Sequence, residues 1–389
     1  MKGLVVPEQT EDYSADPVEL FFDLAFVFAF SQLVSLLIHD ATWTGAGEAT
    51  LIFLLLWLPW AQFTWSANAV PGNNRLVRVV FLVATAASVA MAAAVTTAFD
   101  EGGRVFAIPL GLISMLGVGL LILAAERESE NYGAVLRYSL PTIVGFTLLI
   151  LGGFLEDEAR VASWIVGILI FVASTILAGS GEWAVRAGHF AERHRLILIV
   201  ALGEVIVAIA KPLVESLEDG AGFPSQSILA LTASGVFAGL LWWSYFDRPS
   251  PALEHGLEET PLAAKGRFAR DVYTYGHMPI VAGVIASAAA LEEITLHPND
   301  PLPLEFRVMM FSGLALFFLG VLIDVYRAYR VVARERVIGG LLTVALLLVG
   351  ADLRGVVLLL LLDVLILLVL IFEHQRVEGS PTPRTPAHA

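Results

Sequence analysis

Apolar runs separated by short polar breaks fill almost the whole chain, and the length of those runs decides its class. A helix needs about 20 apolar residues to cross the roughly 30 Å hydrocarbon layer of a bilayer. Windowed hydrophobicity predicts such helices at 18–38, 49–70, 77–99, 105–125, 139–155, 161–177, 196–214, 228–246, 272–291 and 308–326. Two shorter segments, 337–351 and 356–372, are parted by Asp352, Leu353 and Arg354, and read as a tight helical pair or a hairpin that does not cross fully. Either form returns the chain to the side it left. In a bilayer every backbone polar group must be satisfied internally, so the pattern predicts an all-α, polytopic integral membrane protein of about 12 transmembrane helices.

The polar breaks set the organisation. Pro71 and Gly72 mark a turn, residues 179–195 form a polar, helix-like connector, and 248–270 is the longest loop, a charged one. The chain divides into a cytoplasmic amino-terminal segment 1–17, a first six-helix half 18–178, a second half with its connector 179–372, and a proline-bearing tail 373–389 expected to be disordered. Weak matches recur in the same order in both halves: Glu19 with Glu192, Trp60 to Phe63 with Trp243 to Phe246, and Arg75 with Arg270. An even number of spans per half makes this internal repeat parallel, about an axis along the membrane normal. Lys and Arg concentrate in cytoplasmic loops. Eighteen of the 23 lie on the side of the amino terminus, so both termini are expected in the cytoplasm.

Composition narrows the function. Hydrophobic residues make up 57% of the chain, above the roughly 45–50% of soluble domains. The absence of cysteine excludes disulfides, thiolate catalysis and Cys-ligated metals. A net charge of −14 argues against a nucleic-acid partner, because phosphate binding needs a basic surface. The polar, acidic stretch 1–17 shows no cleavable signal peptide, so the first span is expected to be retained.

Ionisable residues inside the spans carry the candidate chemistry. Glu19 and Asp23 enter the first span four residues apart, on one helical face. Glu204 lies about eight residues, or about 12 Å, inside its span. A charge at the bilayer centre costs about 2.5–3.5 kcal/mol on insertion scales, so Glu204 must be protonated, paired or hydrated. At 100° per residue Arg193 shares a face with Glu204, Arg270 shares a stripe with Tyr273 and His277, and Asp271 faces Tyr275. Glu204, His277 and Asp363 are the candidates for a solute or proton pathway. Glu19, Asp23, Glu192, Arg193, Asp247, Arg270, Asp271 and Tyr275 are the candidates for a polar network or gate.

A plainer reading stands beside each of these. Glu19 and Asp23 would serve equally well as structural salt bridges to Arg193 and Arg270. Arg193 would serve as a snorkelling anchor, His277 as a histidine bonded to a neighbouring acid, and Trp242 to Phe246 as an interface belt. His189 and His194 are five residues apart and do not reproduce a zinc helix, so no metal site is assigned. Whether a cofactor is bound is not encoded legibly.

The motifs Glu19-Leu20-Phe21-Phe22-Asp23-Leu24, Ala191-Glu192-Arg193-His194 with Ala201-Leu202-Gly203-Glu204, Trp243-Ser244-Tyr245-Phe246-Asp247 and Arg270-Asp271-Val272-Tyr273-Thr274-Tyr275-Gly276-His277 are similar, in this order, to those of the low-temperature-requirement protein A (LtrA) family of bacterial membrane proteins. The resemblance implies the inner membrane of a prokaryote as location and a role in growth at low temperature, and carries no established biochemical activity. The chain departs from the family pattern in lacking Arg-x-Thr ahead of Glu19, in Arg195 and Ile197, where Gly and Phe are usual, and in Val205, where Ser is usual. The leading expectation is a transporter-like protein, embedded in the lipid bilayer, that couples movement of a small solute to a proton. The alternatives are an intramembrane enzyme or lipid-active protein using the same groups as general acid and base, or a structural membrane component linked to low-temperature growth. Substrate and oligomeric state are not encoded legibly.

Overall fold

The computed structural model describes residues 15–70, 73–125, 131–178, 183, 185–218 and 225–378. Most of the expected amino-terminal segment, and residues 379–389 of the expected tail, lie outside the described residues. The helices are α1 (Pro17–His39), α2 (Trp43–Asn68), α3 (Arg75–Ala93), α4 (Gly103–Ala124), α5 (Asn131–Gly152), α6 (Asp157–Leu177), α7 (Ala187–Glu218) and α8 (Ser225–Phe246). They continue as α9 (Pro249–Glu259), α10 (Leu262–Phe268), a π-helical segment (Ala269–Gly276), α11 (His277–Leu296), α12 (Leu304–Tyr329), α13 (Arg334–Val349) and α14 (Gly355–Glu378). Ten helical stretches among the described residues are long and apolar enough to cross a membrane. The chain is an all-α, polytopic membrane protein. The two other expected spans correspond to α7 and to α13, whose 16 residues rise only about 24 Å.

Four expectations need correction. The charged loop 248–270 is mostly α9 and α10, two short helices whose low hydrophobicity hid them. The connector 179–195 is not separate from the seventh span, because α7 begins at Ala187 and runs unbroken for 32 residues. The ninth span opens as a π-helix, so the 100° wheel does not apply over 269–276. Residues 373–378, placed in the disordered tail, continue α14, where Arg376 pairs with Glu335 at 2.8 Å.

Contacts group the chain into two compact units. The first takes residues up to Leu36, Trp43–Leu196 and Thr260–Arg270, and so holds α1 to α6, the opening turns of α7, and α10. Its helices α3 to α6 pack in succession, with α2 against α4 and α6. Phe22, Phe26, Phe63 and Phe81 form an aromatic cluster in its core. The buried guanidinium of Arg160 donates to the carbonyls of Ala98, Asp100 and Leu155, satisfying backbone acceptors left open where the helices end.

The second unit takes Leu37–Thr42, Ile197–Glu259 and the chain from Asp271 onward. Here α11 packs along α12, and α8 packs against α11 and α14. Glycines permit the α11 contact: a Cβ at Gly283 would collide with the Gly313 carbonyl, and one at Gly320 would come within 3.0 Å of the Gly276 carbonyl. Gly313→Val is therefore expected to destabilise the protein by about 1–3 kcal/mol through overpacking, read as a lower unfolding temperature in detergent. The pair α13 and α14 is an antiparallel hairpin closed by two crossed ion pairs, Arg336 with Glu373 at 2.9 Å and Arg376 with Glu335. At its other end, the Gly355 N–H donates to the Asp300 carbonyl at 2.8 Å.

Candidate functional site

In the first unit, α1 carries Glu19 and Asp23 one turn apart, and the start of α7 supplies His189 and Arg193. One guanidinium spans both acids: Arg193 Nη1 lies 2.7 Å from Glu19 Oε2, and Nη2 lies 2.7 Å from Asp23 Oδ1. His189 Nε2 approaches the same Glu19 oxygen at 2.9 Å, and Trp60 Nε1 donates to Asp23 Oδ1 at 2.8 Å. All of these side chains are buried. The set holds two carboxylates against one obligatory cation. Asp23 Oδ2 and Arg193 Nε have no hydrogen-bond partner among the described residues. Glu192 stands to one side and accepts from the Ala15 N–H at 2.7 Å. Arg270 donates to the Thr175 carbonyl at 3.2 Å.

In the second unit the site is built around His277, the first residue of α11. Its Nε2 lies 2.5 Å from the Tyr245 hydroxyl. Its Nδ1 lies 3.0 Å from the Val272 carbonyl and 3.1 Å from Asp324 Oδ2. A carbonyl can only accept, so Nδ1 carries the hydrogen and Nε2 accepts from the phenol. The N–H points at Val272, and neither Asp324 oxygen has a hydrogen-bond partner among the described residues. The Tyr273 ring stacks on the imidazole with centroids 5.0 Å apart. His277 and Asp324 are both 0% exposed. The carboxylate reaches this position because Gly276 has no side chain: a Cβ there would overlap Asp324 Oδ1. The carboxylate, imidazole and phenol thus lie side by side and buried.

The remaining candidates lie apart from these two clusters. Glu204 is buried in α7. Asp363 is buried in α14, and neither of its oxygens has a hydrogen-bond partner among the described residues. Asp271 pairs with Arg327 at 3.0 Å, Asp247 lies 3.5 Å from Arg248 at the end of α8, and Tyr275 is half-buried in the π segment. Trp242 and Trp243 face outward, whereas Tyr245 is buried on His277.

The profile of the bacterial low temperature requirement A protein (LtrA) family matches residues 14–371. The chain belongs to the LtrA family. It is 30% identical over 326 residues to a protein of Rhizobium meliloti (strain 1021) described as uncharacterized, a match covering 81% of this chain and 78% of the relative. No solved structure matches.

Within this LtrA chain the four motifs contribute to both clusters, with other residues completing them. Sequence reasoning missed Asp324, which sits three residues before Arg327 and reads as the polar end of a span. It weighed His189 only as a metal ligand and Trp60 only as half of a repeat. The π-helix had no periodic signature, yet π segments recur at functional sites, and this one presents Tyr273 and leads directly into His277.

Proposed function

We propose that this LtrA protein is a secondary transporter of the bacterial cytoplasmic membrane that moves a proton together with a small solute. The observation that carries this reading is the buried chain from Asp324 through His277 to Tyr245. Ionisable groups inside membrane spans are expensive and mark ion and proton pathways. Imidazole both accepts and donates near neutral pH. A proton arriving at the Tyr245 oxygen passes the phenolic hydrogen on to Nε2, and the Nδ1 hydrogen is then free to turn from Val272 to Asp324. In the same reading Glu204 and Asp363 are further stations for proton or solute, and the cluster of Glu19, Asp23 and Arg193 is a gate. The bias of Lys and Arg supports an orientation with both termini in the cytoplasm.

The test is proton entry into proteoliposomes loaded with a pH-sensitive dye, driven by an imposed membrane potential. Wild-type protein is expected to conduct protons, and Asp324→Asn at least about tenfold more slowly, a loss of about 1.4 kcal/mol or more in the transition state. Equal rates for the two proteins, or no conduction by wild type, would overturn the proposal.

A further inference from the structure

Where α8 and α14 end, the second unit opens into a cavity of about 360 Å³, a volume within the range of small-molecule sites. Its wall has two chemistries. Trp243 and Leu367, 57% and 46% exposed, line it on apolar helix faces of the kind that meet lipid chains. Asp247, Arg248, Arg336, Glu373 and His374 supply its polar part.

The polar part is built from the inside outward. Arg336 is buried and fixed by Ser244 Oγ at 2.8 Å, by the Ser244 carbonyl at 2.7 Å and by Glu373. Further out, Arg248 Nη2 donates to His374 Nδ1 at 2.6 Å, which places the remaining imidazole hydrogen on Nε2 as a second donor. Asp247 meets Arg248 only at 3.5 Å with both side chains partly exposed, so that pair contributes little and gives way easily to a ligand.

Charge selects the occupant. Two arginines balance two carboxylates, so a ligand of a single sign would leave one group opposed. A headgroup bearing an anion and a cation matches both. Arginine recognises phosphate oxygens in a forked geometry, and a carboxylate is best met by a cation with N–H donors. A tryptophan at the mouth is typical of headgroup depth. We infer that this cavity binds the headgroup of a phospholipid carrying a phosphate and a primary ammonium, with the phosphate on Arg248 and His374, the ammonium on Asp247, and the acyl chains along Trp243 and Leu367. This assignment does not rest on the proton pathway.

Delipidated full-length protein would be titrated with phosphatidylethanolamine, phosphatidylcholine, phosphatidylglycerol or free phosphoethanolamine, with bound lipid read by native mass spectrometry. Phosphatidylethanolamine is expected to bind at least about tenfold more tightly than the other two lipids. Arg248→Gln is expected to lower that affinity about tenfold, and Asp247→Asn to erase the preference over phosphatidylcholine; both positions are exposed enough to spare the fold. Equal binding of all three lipids, a preference for phosphatidylglycerol, or an unchanged affinity in Arg248→Gln would overturn the assignment. Free phosphoethanolamine competing as well as the intact lipid would overturn the lipid as its source.

Discussion

Arg193→Met is expected to destabilise the protein by about 3–5 kcal/mol, the range found when one partner of a buried ion pair is removed. The physical reason is charge balance. Arg193 is fully buried and holds Glu19 and Asp23 through separate nitrogens, each at 2.7 Å. Methionine fills much of the volume but leaves two carboxyl groups one turn apart, with His189 and Trp60 as their remaining described partners. The check is thermal unfolding in detergent, with the triple variant Glu19→Gln, Asp23→Asn, Arg193→Met beside the single one. Neutralising the acids is expected to restore a large part of the loss. If the triple variant is no more stable than the single one, packing rather than charge dominates at this site.

Gly276→Val is expected to act on the other cluster with almost as large an effect. Valine places its Cβ where the Asp324 carboxylate now lies, so α12 must shift or the acid must turn away. Overpacking of this kind costs about 1–3 kcal/mol, and proton conduction is expected to fall at least as far as in Asp324→Asn. A protein that keeps wild-type conduction while its unfolding temperature drops would separate Asp324 from the pathway.

The membrane class and most spans were legible because a bilayer imposes a length and an apolarity that show directly in sequence, as in α4 and α6. Pairing across the chain was legible only where a charge inside a span demanded an answer. Glu19 and Asp23 pointed to Arg193 for that reason, but nothing local revealed that Arg270 would lie against the Thr175 carbonyl. Asp324 was hidden because its meaning depends on Gly276, Gly283, Gly313 and Gly320, small residues whose purpose appears only when two backbones touch. The stripe of Arg270, Tyr273 and His277 assumed an α-helical turn; the stacking of Tyr273 on His277 is observed, but within a π-helix. Helices α9 and α10 escaped because neither is long or strongly apolar.

The short α13 has a consequence for the surrounding lipid. Its 16 residues rise about 24 Å, roughly 6 Å less than an average hydrocarbon layer, while the crossed ion pairs tie its start to the end of the longer α14. The end of α13 away from those ion pairs is the turn at 350–354, which carries Asp352 and Arg354. If both arms of this hairpin cross the hydrocarbon layer, the bilayer has to thin beside α13, at a cost of fractions of a kcal/mol per Å, which favours membranes with shorter acyl chains.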